Sequence, residues 1–171
     1  MEDTFIEIVG YLSPALVLGL VVYYFFNRLI KQLNNQHKLE TIIQKRKEGL
    51  PIKLQAFERM VLFCERINPI KLLIRVKPID TSSQGYLQLL LKSIEQEFEH
   101  NLVQQLYISD ECWNVIITSK AATIQKLKQI ASISENAQEL REKMMLAYKD
   151  EIPATETAIA FIKNETKKLI S

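Results

Sequence analysis

Reactive side chains are few here: two histidines, two cysteines and a short alternation of glutamates. Glu97 and His100 stand three residues apart, which puts carboxylate and imidazole on one helix face, as in carboxylate-bridged di-iron bundles. Such a centre needs a second Glu-x-x-His pair and two further carboxylates. The other histidine, His37, is preceded at the matching distances by Leu33 and Asn34, so the second pair is missing. His100 therefore reads as a surface or interfacial histidine, and no metal is expected. Glu95, Glu97 and Glu99 alternate at a spacing of two, which turns neighbouring carboxylates to different sides of a helix, so they read as a solvated surface rather than a general acid and base. Cys64 and Cys112 sit in apolar helical context without a C-x-x-C pair, and read as reduced, buried thiols that make no zinc site. A place near a helix start would lower the pKa of Cys112, but no histidine lies nearby in sequence to pair with it.

Other catalytic signatures are missing too. There is no G-x-S-x-G, phosphate-binding glycine loop, dinucleotide fingerprint or H-E-x-x-H. With four glycines in the chain, little material exists for a backbone cradle around phosphate. The expectation is a protein with no catalytic, cofactor or metal residues.

The stretch around which the chain is organised is Ile8 to Asn27, twenty residues without a charge, followed at once by Arg28. At about 1.5 Å per residue it would make a helix of about 30 Å, matching a bilayer's hydrocarbon core. A transmembrane helix is the expectation. A signal peptide would want a basic start, whereas Glu2, Asp3 and Glu7 precede the run. Arg28, Lys31 and Lys38 follow it, so the positive-inside tendency predicts a single-pass topology with the N-terminus outside and the rest in the cytoplasm.

Charge narrows the partners. The formal total of +2 divides into −3 for residues 1–27, +5 for 28–53 and zero for 54–171. A basic segment confined to the membrane-proximal part, with Arg28, Lys31 and Lys38 as membrane-surface residues, suits an anionic leaflet of a lipid bilayer rather than nucleic acid. Lys45, Arg46 and Lys47 would reach lipid only if the helix tilts or bends, since a perpendicular helix carries them about 27 Å beyond Asn27.

Three regions are expected: 1–27 as external N-terminus and transmembrane helix, 28–48 as a basic helix continuing it into a long rod, and 49–171 as a compact cytoplasmic helical bundle. Gly49 and Pro51 predict a turn between rod and body. Apolar residues at three- and four-residue spacing then predict helices over about Ile52–Arg66, Pro69–Arg75, Ser83–Leu106, Asp110–Ala131, Glu135–Lys149 and Pro153–Leu169. The third carries Leu87, Leu90, Leu91, Ile94, Phe98 and Leu102 and reads as the central core helix. The fold class expected is all-α.

Leu54-Gln55-Ala56-Phe57-Glu58-Arg59-Met60, Cys64-Glu65-Arg66-Ile67-Asn68-Pro69 and Leu106-Tyr107-Ile108-Ser109 with Trp113, together with the apolar run and basic connector, resemble an uncharacterised family of small membrane proteins from Bacteroidota. The resemblance implies a bacterial inner-membrane setting and a helical cytoplasmic domain, and carries no catalytic residue with it. The functional expectation is a membrane-anchored, noncatalytic scaffold or adaptor that meets a membrane or cytoplasmic protein partner, or a second copy of itself. A membrane-tethered sensor of a small ligand and an enzyme with an unrecognised active site are the alternatives. The expected docking surface is Leu29, Ile30, Leu33, Leu39, Ile42 and Ile43, apolar side chains beyond the uncharged run but ahead of the body.

Overall fold

The computed structural model describes the backbone over residues 2–149 and 151–170, and the side chains of 18–32, 44, 48–149 and 151–170. Its elements are α1 (Glu2–Ile67), α2 (Pro69–Arg75), α3 (Ser83–Asn101), a 3-10 turn (Leu102–Leu106), α4 (Asp110–Ser132), α5 (Ala137–Ala147) and α6 (Ala154–Ile170). The protein is all-helical. Its chain divides into two compact units, Met1–Gly49 and Leu50–Ser171.

Two expectations are corrected. Among the described residues no helix is long and apolar enough to cross a membrane, so the transmembrane helix expected over 8–27 is withdrawn. Its side chains over 8–17 lie outside the described residues. The described remainder, 18–27, rises about 15 Å, half the hydrocarbon thickness of about 30 Å, before Arg28 and Lys31 enter the helix. The turn expected at Gly49-Leu50-Pro51 is also missing, because α1 is one helix of 66 residues. None of the described glycines has a positive φ, so Gly49 does not form the left-handed cap that stops a helix. Pro51 fixes φ near the helical value of about −65° and removes one N–H bond.

In the second unit the 3.6-residue period works as physical chemistry requires: apolar residues recurring on one side are taken out of water, each large side chain contributing about 1.5–3 kcal/mol. Leu90 and Ile94 of α3, Ile116 of α4, Leu140 and Met144 of α5 and Phe63 of α1 are all 0–1% exposed. The helices begin where a polar side chain takes over unpaired amides. Asn68 Oδ1 accepts from the Ile70 and Lys71 amides at the start of α2, while its Nδ2 donates to Thr155 Oγ1 at 3.4 Å. Ser82 Oγ accepts from Gly85 N, Ser109 Oγ from Cys112 N and Asn136 Oδ1 from Glu139 N. Glu139 reaches back to the Glu135 amide, completing a reciprocal cap. Two of these starts are joined, since Ser82 and Asn136 pair as an isolated bridge and Ala137 N donates to Thr81 O at 2.9 Å.

The helix expected over Ser83–Leu106 stops five residues early. Asn101 turns its side chain back, Nδ2 donating to Glu97 O at 2.7 Å, and the following residues tighten into the 3-10 turn. Leu102, expected in the core, is consequently 40% exposed, with Val103 at 61% and Leu106 at 74% beside it.

Candidate functional site

In the first unit, Leu18, Leu20 and every residue from Val21 to Phe26 is exposed, the least so being Val21 at 49%. A helix turns about 100° per residue, so this run shows apolar side chains on every side. Of the expected docking residues, Leu29 and Ile30 are exposed, at 55% and 40%. Arg28 and Lys31 are exposed as well. Leu33, Leu39, Ile42 and Ile43, with Lys38, Lys45, Arg46 and Lys47, have side chains outside the described residues.

The second unit sorts the reactive side chains. His100, Glu95 and Glu99 are exposed, but Glu97 is buried at 8%. Its two carboxylate oxygens accept from Arg66 Nη1 at 2.8 and 2.9 Å, and Oε1 accepts from Arg75 Nη1 at 3.3 Å. Arg75 also donates to the Arg66 carbonyl, so the cluster ties the end of α1 to α2 and α3. The solvated surface expected for Glu97 is thus corrected, and its sequence held the signal. Leu87, Leu90, Ile94, Glu97 and Asn101 follow one another at alternating spacings of three and four, and all are buried. Glu95 pairs with Lys120 at 2.7 Å, whose Nζ lies 3.8 Å over the Phe98 ring, and Phe98 stacks on Trp113.

Both cysteines are free and fully buried. Burial pushes the Cys64 thiol up to about 12, with the Glu65 charge adding to it and the neighbouring Ser119 hydroxyl opposing it. Burial likewise pushes Cys112 up to about 12, reinforced by the charge and hydrogen bond of Glu165 and by Cys64. Desolvation and a facing carboxylate outweigh the lowering that a helix start would give Cys112. Neither is a thiolate at neutral pH. Among the described residues no three His, Cys, Asp or Glu side chains converge where they would hold a metal ion.

Three concavities of the second unit are shallow and mostly apolar. A cleft of about 400 Å³ lies among α1, the segment after the 3-10 turn and α6, with Phe57, Leu106, Ile108 and Leu169 in its walls. A second, of about 370 Å³, lies between α1 and α6 and shares Phe57. A third, of about 340 Å³, runs between α4 and α6 past Ala122, Ala154 and Ala158. None brings a nucleophile together with a base and an oxyanion donor, the minimum for covalent or acid–base chemistry.

These features define an all-helical bundle protein. The chain belongs to a family of unknown function, DUF7935, which it matches over residues 3–169. The match bears on neither the Bacteroidota source nor the membrane setting implied by the resemblance. No curated protein and no solved structure matches the chain.

Proposed function

We propose that the protein is a noncatalytic scaffold or adaptor, held at a lipid bilayer through its first unit and offering its second unit to a protein partner. The observation that carries this is the run from Leu18 to Phe26, where large apolar side chains are exposed around the whole helix. A helix apolar on all sides is stable only in an apolar surrounding. Arg28 and Lys31 stand at its end, where ammonium and guanidinium groups gain about 1 kcal/mol each against an anionic leaflet. Association with lipid, rather than a crossing, is what the ten described residues of the uncharged stretch support. A bacterial inner membrane is the setting that the resemblance adds to this proposal. Leu29 and Ile30 remain available to a partner or a second copy beyond the lipid-facing run.

The test is flotation of the full-length chain with vesicles of zwitterionic lipid, with and without anionic lipid. Flotation that is strengthened by anionic lipid and lost in Val22→Asp and Phe26→Asp variants is the expected result. A parent protein that stays at the bottom of the gradient as a detergent-free monomer would overturn the proposal. Crosslinking in membranes, with Leu29→Asp compared with the parent, then reports whether the flanking apolar residues hold a partner.

A further inference from the structure

The two clefts that share Phe57 are rimmed by lysines. The first is bordered by Lys53 and Lys168, the second by Lys163 and Lys167. All four lysines are exposed. Among the described residues Lys53, Lys163 and Lys167 form no ion pair; Lys77, Lys92, Lys128 and Lys149 are likewise unpaired but line neither cleft. Two carboxylates share the region. Glu58 is exposed, but Glu165 faces the Cys112 thiol and its Oε2 is enclosed. The accessible charge of the rim is therefore positive. Inside it the walls are apolar, and Leu106, in the wall of the first cleft, is 74% exposed.

Resting on the adaptor reading, we propose that this paired cleft is where the second unit docks its protein partner, and that the docking segment is acidic and carries bulky apolar side chains. Apolar side chains of the segment enter the clefts on either side of Phe57, where they leave water and cover Leu106. Carboxylates beside them meet Lys53, Lys163 and Lys167. Each half supplies what the other lacks: apolar burial gives affinity, while the charge rim steers encounter and rejects basic sequences. An anionic leaflet would satisfy the lysines as a plane of charge and leave the recesses unfilled. Discrete side chains fill both.

The experiment selects a displayed random-peptide library against the full-length protein held in detergent micelles. Recovered sequences should combine Asp or Glu with Phe, Leu, Ile or Met, and their binding should weaken as salt is raised. Leu106→Asp and the double change Lys53→Glu with Lys167→Glu should each reduce binding by about tenfold or more, the loss typical of an interface anchor. All three positions are exposed, so the variants keep the parent's helical circular dichroism and thermal midpoint. Failure to enrich acidic sequences would overturn the proposal, as would recovered peptides that bind both variants as tightly as the parent. In the second case the adaptor reading survives with its surface elsewhere, whereas failed flotation and crosslinking strike that reading itself. Charge reversal that weakens only binding to anionic vesicles would assign the rim to lipid and also overturn the proposal.

Discussion

Replacing Glu97 with alanine removes the acceptor that gathers two guanidinium groups. Hydrogen bonds to a charged group are worth about 1.5–3 kcal/mol each, and breaking a fully buried ion pair costs about 3–5 kcal/mol. Here the carboxylate side chain is 11% exposed, but its partners Arg66 and Arg75 are 58% and 42% exposed and rehydrate when released. The loss therefore falls below the buried-pair range, at about 2 kcal/mol, a downward shift of about 6–10 °C in the thermal midpoint of a domain this size. Urea denaturation followed by circular dichroism measures it. Double-mutant cycles with Arg66→Ala and Arg75→Ala add a geometric requirement. Arg66 reaches both oxygens at 2.8 and 2.9 Å while Arg75 reaches one at 3.3 Å, so coupling to Arg66 must be the larger. A Glu97→Ala protein within about 0.5 kcal/mol of the parent, the range of an ordinary surface substitution, would refute the assignment of Glu97 as a buried hub. Stronger coupling to Arg75 would refute the geometry.

Cys64 and Cys112 hold folded-state pKa values near 12 against about 9 when unfolded, so the native chain binds more protons across that interval. Their contribution to stability is complete below pH 9 and declines as pH rises from about 9 towards 12; urea midpoints of the parent and a Cys64→Ala, Cys112→Ala protein should converge over that window, and iodoacetamide should label the thiols only after unfolding. Asn136→Ala removes the cap on α5 beside its bridge to Ser82 and should cost about 1 kcal/mol, read from the urea midpoint, whereas an unchanged midpoint would show that the Glu139 return contact suffices alone.

Much of the second unit was legible because its helix boundaries are local chemistry. Pro69 follows a capping asparagine, Ser82 and Ser109 stand before apolar-periodic segments, and Pro153 precedes α6, so the expected and observed limits agree within a few residues. Where the outcome depended on a side chain bending back or on tertiary partners, local reading failed. Asn101 ends α3 by bonding the carbonyl four residues before it, which no spacing of apolar residues announces. Gly49 and Pro51 carry a stop signal, but a stop requires the backbone to leave the helical region, and it does not. Glu97 lies on the buried face that its spacing from Leu90 and Ile94 marks, and what local reading could not supply was the pair of arginines that meet it there.

The candidate docking surface was illegible for a different reason. Residues 54–171 carry equal numbers of acidic and basic side chains, and from that sum the body looked electrostatically bland. Folding distributes the charges unevenly. Glu65, Glu95, Glu139 and Glu151 are taken up in pairs with Lys71, Lys120, Lys143 and Lys126. Glu97 is taken up by two arginines, and Glu165 is turned inward against a thiol. The lysines left at the clefts without an ion pair, Lys53 from α1 and Lys163 and Lys167 from α6, come from stretches more than a hundred residues apart that meet beside Phe57. Zero net charge on a folded unit is thus compatible with a basic, apolar-floored surface. On the docking proposal, that local surface, rather than the neutral sum, selects the partner.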